Sequence, residues 1–286
     1  MSTLKTGVLL VGMTILFMGL GRWIGGQSGM IIAFVIAMGM NAISYWFSDK
    51  IVLRMYNAQP VIESDSPGLY SLVSKLAQNA GIPMPKLYII PGNVANAFAT
   101  GRDPNHAAVA VTEGLMQILD KDEVAGVIAH ELAHVKNRDI LISTIAATIA
   151  GAIMIIADIA RWGMIFGGFS RSDDDDGGGG ILGTLVAIIV APIAAMLIQM
   201  AISRSREYQA DATGSEISGR PLDLADALLK LESTSQQTPS YANGQTAHMF
   251  IINPLKGGIS GLFSTHPPIS ERVSRLRDIA SGMGQR

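Results

Sequence analysis

The chain has 286 residues, which is enough for one large domain or two smaller ones. Only 15% of the residues are charged and 49% are apolar, a charge deficit that is typical of a membrane protein rather than of a soluble domain. The net charge of −2 gives no indication of a nucleic-acid partner. The absence of cysteine excludes disulfides, thiol catalysis and cysteine-ligated zinc, so any metal site must use histidine and carboxylate ligands.

Four hydrophobic stretches predict membrane spans. The second has 19 residues, about 29 Å as a helix, which matches the thickness of a bilayer core. The first is short enough for a signal peptide, but no cleavage motif follows it, which favours a hairpin that stays in the membrane. The third and fourth contain Asp158 and Pro192, so a helix pair buried in a soluble core is their alternative. The stretches are residues 7–20, 29–47, 140–160 and 181–202.

The basic residues near the span ends predict the orientation of the chain. Seven of them share one side of the predicted spans, whereas the few on the other side are diluted by the tract DDDDGGGG. Because basic loops stay in the cytoplasm, we expect both termini to face the cytoplasm. The tract itself is typical of a flexible, solvated turn rather than of a metal site. The seven residues are Lys5, Lys50, Arg54, Lys136, Arg138, Arg204 and Arg206.

The predicted spans divide the chain into four parts. We do not expect either polar segment to fold on its own. The two should fold together as one cytoplasmic domain, with the second helix pair inserted between them. The parts are a transmembrane hairpin at residues 1–47, the first domain segment at 48–139, the second helix pair at 140–202 with an acidic–glycine loop at 171–180, and the second domain segment at 203–286.

The segment HELAH has the H-E-x-x-H pattern of a zinc site. Asp120 and Glu123 predict a capping box that starts a helix just upstream. On a helix, residues four apart share one face, so His130 and His134 can bind one tetrahedral zinc ion. Glu131 lies one position on, where its carboxylate can act as general base toward a zinc-activated water. The alternative is a chance match, with a surface charge pair and two partly buried histidines.

No glycine or proline interrupts the sequence between this motif and Gly151, which leads to the hypothesis of one continuous helix from the zinc site into the third hydrophobic stretch. From His134 to Ile140 is six residues, about 9 Å along a helix, so the zinc would lie close to the cytoplasmic membrane surface. The alternative is a bend at residues 137–139.

A catalytic zinc needs a third protein ligand, and the segment SRSREYQADATG offers two carboxylates. Glu207 and Asp211 are four apart and share a helical face, although this spacing alone is also typical of a solvated surface. Glu207 follows the fourth hydrophobic stretch much as His134 precedes the third, which favours Glu207 as ligand and Asp211 as the group that orients a ligand histidine. Gly214 is expected to end this helix. The other candidate ligands are His106, His248 and His266.

HELAH followed, after two hydrophobic stretches, by S-R-x-x-E-Y-x-A-D resembles the HtpX family of membrane-integrated zinc metalloproteases. The resemblance includes NAFATG and STHPP and covers essentially the whole chain. It implies a mainly α fold with a small β-sheet (α+β), in which four transmembrane helices carry a cytoplasmic gluzincin-like metalloprotease domain. It also implies one Zn²⁺ per chain, bound by His130, His134 and Glu207, with Glu131 as the catalytic base.

Three β-rich stretches, KLYII, ANAFATG and AAVAVT, predict strands between turn residues. In similar metalloproteases an edge strand beside the zinc pairs with the substrate backbone, which implies substrate binding at Asn96, Ala97 and Phe98. An ordinary buried strand is the alternative. His266 can donate a hydrogen bond to the oxyanion of the reaction, although a lone histidine in a turn is more often structural.

The resemblance implies endoproteolysis in the quality control of damaged or misfolded membrane proteins, by a multi-pass protein of the bacterial inner membrane. Its partners would be membrane-protein substrates and the lipid bilayer, and no nucleic-acid partner is expected. The sequence does not indicate an oligomeric state. A zinc-stabilised scaffold or chaperone would use the same ligands without needing Glu131. A transporter is disfavoured, because Asp158 alone offers little of a polar pathway.

Overall fold

The computed structural model describes residues 2–143, 145, 204–235, 251 and 267–284. Within these residues the chain is mainly helical with a small mixed sheet, which confirms the predicted α+β class. Apart from 140–143 and 145, the third and fourth hydrophobic stretches and the loop at 171–180 lie outside them. The described helices are α1 Ser2–Met55, α2 Pro67–Ala80, α3 Glu113–Ile118, α4 Lys121–Lys136, α5 Arg204–Ser218, α6 Pro221–Ser235 and α7 Ile269–Met283, and the strands are β1 Gln59–Val61, β2 Lys86–Ile90, β3 Ala97–Gly101 and β4 Ala107–Thr112.

The N-terminal helix α1 folds back on itself near Gly26, whose φ of 58° lies in the left-handed region that glycine tolerates. The Asn41 side chain therefore donates hydrogen bonds to Thr14 Oγ1 at 2.9 Å and to the Leu10 carbonyl oxygen at 3.3 Å. A straight helix would separate Asn41 from Thr14, 27 residues away, by about 40 Å. The two arms of α1 thus lie side by side, joined by a polar contact of the kind that holds membrane helices together.

Among the described residues, one helical stretch has the length and composition to cross a membrane. It is Gly26–Phe47, with 22 residues and a mean hydropathy of 1.8, and Leu10–Gly19 is a shorter apolar stretch on the other arm. Large apolar side chains such as Ile15 and Val35 are exposed on these arms, as suits contact with lipid rather than water. The remaining predicted spans stay a prediction.

The sheet has the strand order β1-β2-β4-β3, in which β2 and β4 are parallel and the other pairs are antiparallel. Strands β2, β3 and β4 match the three predicted strands, and β3 forms an edge. Alternate residues of β4 face opposite sides, so Val109 enters the main core while Ala110 packs in a smaller cluster with Phe98 and Val52. The sheet therefore links the end of α1 to the helical core.

Helix α4 begins at the predicted capping box. The backbone N–H groups of Asp122 and Glu123 donate to Asp120 Oδ1 at 3.0 and 2.9 Å, and the Asp120 N–H donates to Glu123 Oε2 at 2.8 Å. These bonds satisfy N–H groups that a helix start otherwise leaves without partners.

The hypothesis of a continuous helix beyond the zinc motif is wrong, because α4 ends at Lys136 and the chain bends, as the alternative predicted. The Asp139 N–H donates to the His134 carbonyl at 2.9 Å and the Arg138 N–H to the Val135 carbonyl at 3.1 Å, the two bonds of a Schellman motif. Arg138 takes the left-handed position, with a φ of 59°, that glycine usually fills. The local signal for a helix end was therefore missing from the sequence.

Two glycines let α4 approach its neighbours closely. A Cβ atom on Gly214 of α5 would lie 3.0 Å from His130 Cα, and one on Gly126 of α4 would lie 2.7 Å from the Leu224 backbone nitrogen of α6. The prediction that Gly214 ends its helix is wrong, because α5 continues to Ser218. Gly214 is instead the point where α5 packs against the backbone of a predicted zinc ligand.

We expect Gly126→Ala to lower the free energy of unfolding by about 1–3 kcal/mol, because the added methyl group would overlap the Leu224 backbone and force two packed helices apart. Gly68→Ala in α2 is the matched control, since its Cβ would meet no atom within 4 Å and alanine favours a helix. Thermal unfolding of the full chain in detergent measures both variants. Equal stability of the two would contradict the close packing of α4 on α6.

Candidate metal centre

Three side chains from two helices converge on one point. His130 and His134 come from α4, and Glu207 comes from the first turn of α5. The two histidine Nε2 atoms are 3.3 Å apart. Glu207 places one carboxylate oxygen 3.7 Å from His130 Nε2 and the other 3.7 Å from His134 Nε2. The three residues that the sequence predicted as zinc ligands are therefore brought together.

These separations fit a tetrahedral zinc ion. Two ligand atoms that are each about 2.0–2.1 Å from a tetrahedral ion lie about 3.3–3.4 Å from one another. Two imidazoles and one carboxylate form a donor set known from catalytic zinc sites, in which the fourth position stays open for chemistry. The side chains of His130 and Glu207 are buried, whereas 17% of the His134 side chain is exposed. The open side of the site is therefore next to His134.

Asp211 lies behind His130, one helical turn beyond Glu207 on α5. Its Oδ1 is 2.9 Å from His130 Nδ1. An imidazole that donates its Nδ1–H to a carboxylate keeps the Nε2 lone pair available for a metal and is fixed in orientation. This geometry is the one expected if Asp211 orients the His130 ring, the role predicted for it from the sequence.

The same contacts shift the protonation equilibria of this pair. Burial by itself lowers the pKa of His130, but hydrogen bonds with Asp211 and Glu207 outweigh burial and raise the pKa to about 9. Burial by itself raises the pKa of Asp211, but Arg272 and His130 lower it to about 2. Because a metal ligand must give up its proton, a metal ion bound at His130 would compete with a proton for that nitrogen.

The sequence interpretation missed Arg272, whose side chain from α7 is fully buried behind the site. Its Nε donates to Asp211 Oδ2 at 2.9 Å and its Nη2 to Asp211 Oδ1 at 2.7 Å, a bidentate pair. Its Nη1 donates to the Ile251 carbonyl at 3.3 Å. A signal was present, because Arg272 occupies one position of the apolar stripe of α7 that also contains Ile269, Val273 and Leu276.

The network extends from Ile251 to the sheet. The Ile251 N–H donates to Asn96 Oδ1 at 3.1 Å, and the Asn96 N–H donates to Thr112 Oγ1 at 2.9 Å. Asn96 is buried, so its side chain holds the segment at residue 251 rather than facing solvent. The predicted substrate residues Ala97 and Phe98 are also buried, and the Phe98 ring lies 5.2 Å from that of Tyr56.

Glu131 contacts the edge strand. The Ala99 N–H of β3 donates to Glu131 Oε2 at 2.9 Å. Ala99 pairs with Val109 of β4 in the antiparallel register, yet its N–H points away from β4 toward α4. The carboxylate next to the first histidine is thereby fixed between the zinc helix and the free edge of the sheet.

Two further predicted candidates, His248 and His266, lie outside the described residues. His106 is exposed and pairs at the surface with Asp103, its Nδ1 being 2.8 Å from Asp103 Oδ1. It is not part of the three-residue cluster.

Comparison with known proteins agrees with this geometry. Residues 63–280 match the family model of peptidase family M48. The chain belongs to peptidase family M48. A protease HtpX homolog of Desulforapulum autotrophicum is 58% identical over 285 residues, which cover 99% of this chain and 92% of the relative. A homolog of the same name from Pyrococcus abyssi is 56% identical, over 98% of this chain and 97% of the relative. Another from Persephonella marina is 57% identical, over 99% of both chains. This M48 peptidase is therefore an HtpX-type metalloendopeptidase.

A solved structure shares the fold. The crystal structure of S. mikatae Ste24p matches with a TM-score of 0.53 at 17% identity. The match covers 96% of this M48 peptidase but 64% of the Ste24p chain, so the present chain spans less than two thirds of that protein.

In this M48 peptidase we expect Arg272→Gln to lower the free energy of unfolding by about 3–5 kcal/mol, because it leaves the Asp211 carboxylate buried without its charge partner. Arg275→Gln on the same helix is the matched control, because Arg275 is half exposed and pairs with Glu271 at the surface. Thermal unfolding of both variants in detergent checks the difference. If Arg272→Gln were as stable as the control, the buried pair would not be a determinant of stability.

Proposed function

We propose that this HtpX-type peptidase is a membrane-bound zinc endopeptidase that cleaves damaged or misfolded membrane proteins. The observation that supports it is the convergence of two histidines and a glutamate on one point, with a further carboxylate, Glu131, fixed beside them. Family M48 membership and the HtpX-type relatives support peptidase chemistry.

The residues present fit one zinc ion held by His130, His134 and Glu207. When bound, zinc supplies Lewis acidity toward the scissile carbonyl and makes the attacking water more acidic. The Asp211 carboxylate orients the His130 imidazole through Nδ1, so its Nε2 faces the metal position.

Glu131 is the proposed general base. The hydrogen bond from Ala99 fixes Oε2 and leaves Oε1 to accept a proton from the attacking water. The same oxygen then delivers that proton to the amine nitrogen as the peptide C–N bond breaks. One water molecule is consumed, and one carboxylate and one amine are formed.

Strand β3 is the proposed substrate strand. It is an edge of the sheet and lies against α4, where its Ala99 N–H already bonds to Glu131, so an extended peptide would pair with the other outward-facing backbone groups of the strand. Because the side chains of Asn96 and Phe98 are buried, recognition at Asn96, Ala97 and Phe98 would use the backbone. Such pairing gives affinity with little sequence preference, which suits a protease that clears many substrates.

The proposed setting is a bilayer, with four spans and with the peptidase domain and both termini in the cytoplasm. The apolar helix Gly26–Phe47 and the full-length HtpX-type relatives support a membrane location. The turn after α4 lies between the ligand helix and the third hydrophobic stretch, so the distance from zinc to the membrane is set by that turn rather than by a straight helix.

We expect Glu131→Gln to retain zinc and to lose cleavage of a model membrane protein by at least a hundredfold, because the amide oxygen can still accept from Ala99 but the side chain no longer takes a proton. Metal analysis and gel-based cleavage in detergent measure the two properties. In the same assay a chelator should block the unaltered chain, and added zinc should restore it. Cleavage by Glu131→Gln at the unaltered rate would contradict the role of Glu131 as base. If the unaltered chain bound zinc but did not cleave, a zinc-stabilised scaffold or chaperone would be favoured instead.

Glu207→Ala is expected to lower zinc occupancy, because it removes one of three ligands. Glu216→Ala on the same helix is the matched control, since Glu216 is exposed and outside the cluster. Metal content after dialysis against a weak chelator compares the two variants. Unchanged zinc in Glu207→Ala would point to one of the other histidines as third ligand.

A further inference from the structure

A second aspartate, Asp139, lies beside a ligand histidine. Asp139 is buried, and its Oδ2 is 3.6 Å from His134 Nδ1. The two ligand histidines therefore each have an aspartate on the Nδ1 side, with Asp211 at 2.9 Å from His130 and Asp139 somewhat farther from His134.

The bend after α4 creates this contact. Along an uninterrupted helix, a residue five positions after His134 would lie about 140° away from it around the axis. The left-handed conformation of Arg138 reverses the chain instead, and the Asp139 N–H bonds to the His134 carbonyl at 2.9 Å. Asp139 is thereby tied by its backbone to the residue that its side chain faces.

The surroundings of Asp139 are polar and only partly satisfied. Arg206 of α5 places Nη1 4.0 Å from Asp139 Oδ1. Among the described residues, Asp139 Oδ2, Arg206 Nη2 and Asn137 Nδ2 are buried without a hydrogen-bond partner. Buried polar atoms in folded proteins nearly always have partners, and of these three atoms Asp139 Oδ2 lies next to a ligand histidine, 3.6 Å from His134 Nδ1.

We propose that Asp139 is a positioning residue for His134, which rests on the zinc site of the proposed function. With a metal bound at Nε2, Asp139 Oδ2, which lies 3.6 Å from His134 Nδ1 in this structure, would accept the Nδ1–H and fix the tautomer that presents Nε2 to the metal. Arg206 Nη1 lies 4.0 Å from the other carboxylate oxygen, Oδ1, so the Asp139 carboxylate contacts both the arginine and the His134 ring. Asp139 directly precedes the third hydrophobic stretch, and Arg206 follows the fourth by four residues, so the cluster also connects the His134 position to the base of that predicted helix pair.

The test is the zinc dissociation constant of the full chain in detergent, measured by competition with a chelator. Asp139→Ala is expected to weaken zinc binding 10–100-fold, the usual effect of removing the group that orients a ligand histidine. Asp139→Asn keeps an acceptor oxygen without its charge, so its loss should be intermediate, up to about tenfold. Asp103→Ala removes an aspartate from a surface histidine pair and should bind zinc like the unaltered chain.

A charge-balanced double variant separates orientation from simple electrostatics. Asp139→Ala/Arg206→Gln removes one negative and one positive charge, so the net charge near the zinc ligands is unchanged. Continued weak binding supports the positioning role, whereas recovery of the unaltered affinity would overturn it in favour of charge balance. Thermal unfolding of the metal-free variants provides the other readout, because a structural role would lower stability without changing zinc affinity.

Either unchanged zinc affinity in Asp139→Ala or, should that variant fail to fold, unchanged affinity in Asp139→Asn would overturn the proposal. The unaltered chain would still bind zinc and cleave protein in that case, so the proposed function would stand. Failure of the unaltered chain to bind zinc would overturn both.

Discussion

The buried charge of Arg272 is the constraint on which the rest of the metal centre depends. Its guanidinium binds both oxygens of Asp211, and Asp211 in turn holds His130 Nδ1, so one cation fixes the orientation of a zinc ligand through a single intervening side chain. The same guanidinium donates to the carbonyl of Ile251, whose N–H bonds to Asn96 at the start of β3. The proposed substrate strand β3 and the helix that carries the two histidines are thus joined by one hydrogen-bonded chain. Burying such a charge is costly, and it is tolerated because every strong partner is in place.

Close helix packing supplies the complementary constraint. The bidentate pair joins Arg272 of α7 to Asp211 of α5 and has strict geometry, so it forms only if these two helices are held at a fixed distance from one another. Gly214 lets α5 touch the backbone of His130, and Gly126 lets α6 touch α4. Glycine weakens a helix interior by roughly 0.5–1 kcal/mol relative to alanine, and the close packing of the helices at these two positions offsets that cost. The ligands are therefore held by backbone-to-backbone contact as well as by side-chain bonds.

Features encoded within a few residues could be predicted from the sequence. The capping box at Asp120 and the shared face of His130 and His134 follow from helix geometry alone, and the three strands follow from local composition. Glu207 is distant from His134 in sequence. Its place near the two residues could still be predicted, because a pair of hydrophobic stretches between them would return the chain to the same side. The apolar stripe of α7 marks Arg272 as a buried position, but its partner Asp211 is 61 residues away, and no local pattern in the sequence predicts that pairing. The bend at Arg138 was also hidden, because a left-handed helix end is ordinarily marked by glycine.

The two histidines are held unequally, and this inequality bears on how the site works. His130 is enclosed by Asp211, Arg272 and the backbone near Gly214, whereas His134 is the most exposed of the three ligands and lies next to the bend. His130 is thus held in the core, whereas His134 lies at the bend from which the chain continues into the third hydrophobic stretch. Because a shift of the chain at Asp139 would move the neighbourhood of His134 but leave the Arg272 network intact, a change in the predicted helix pair would act on the proposed zinc site through His134. The open side of the site also lies next to His134. A substrate that entered there would approach His134 first, and His134 is also the ligand next to the predicted helix pair.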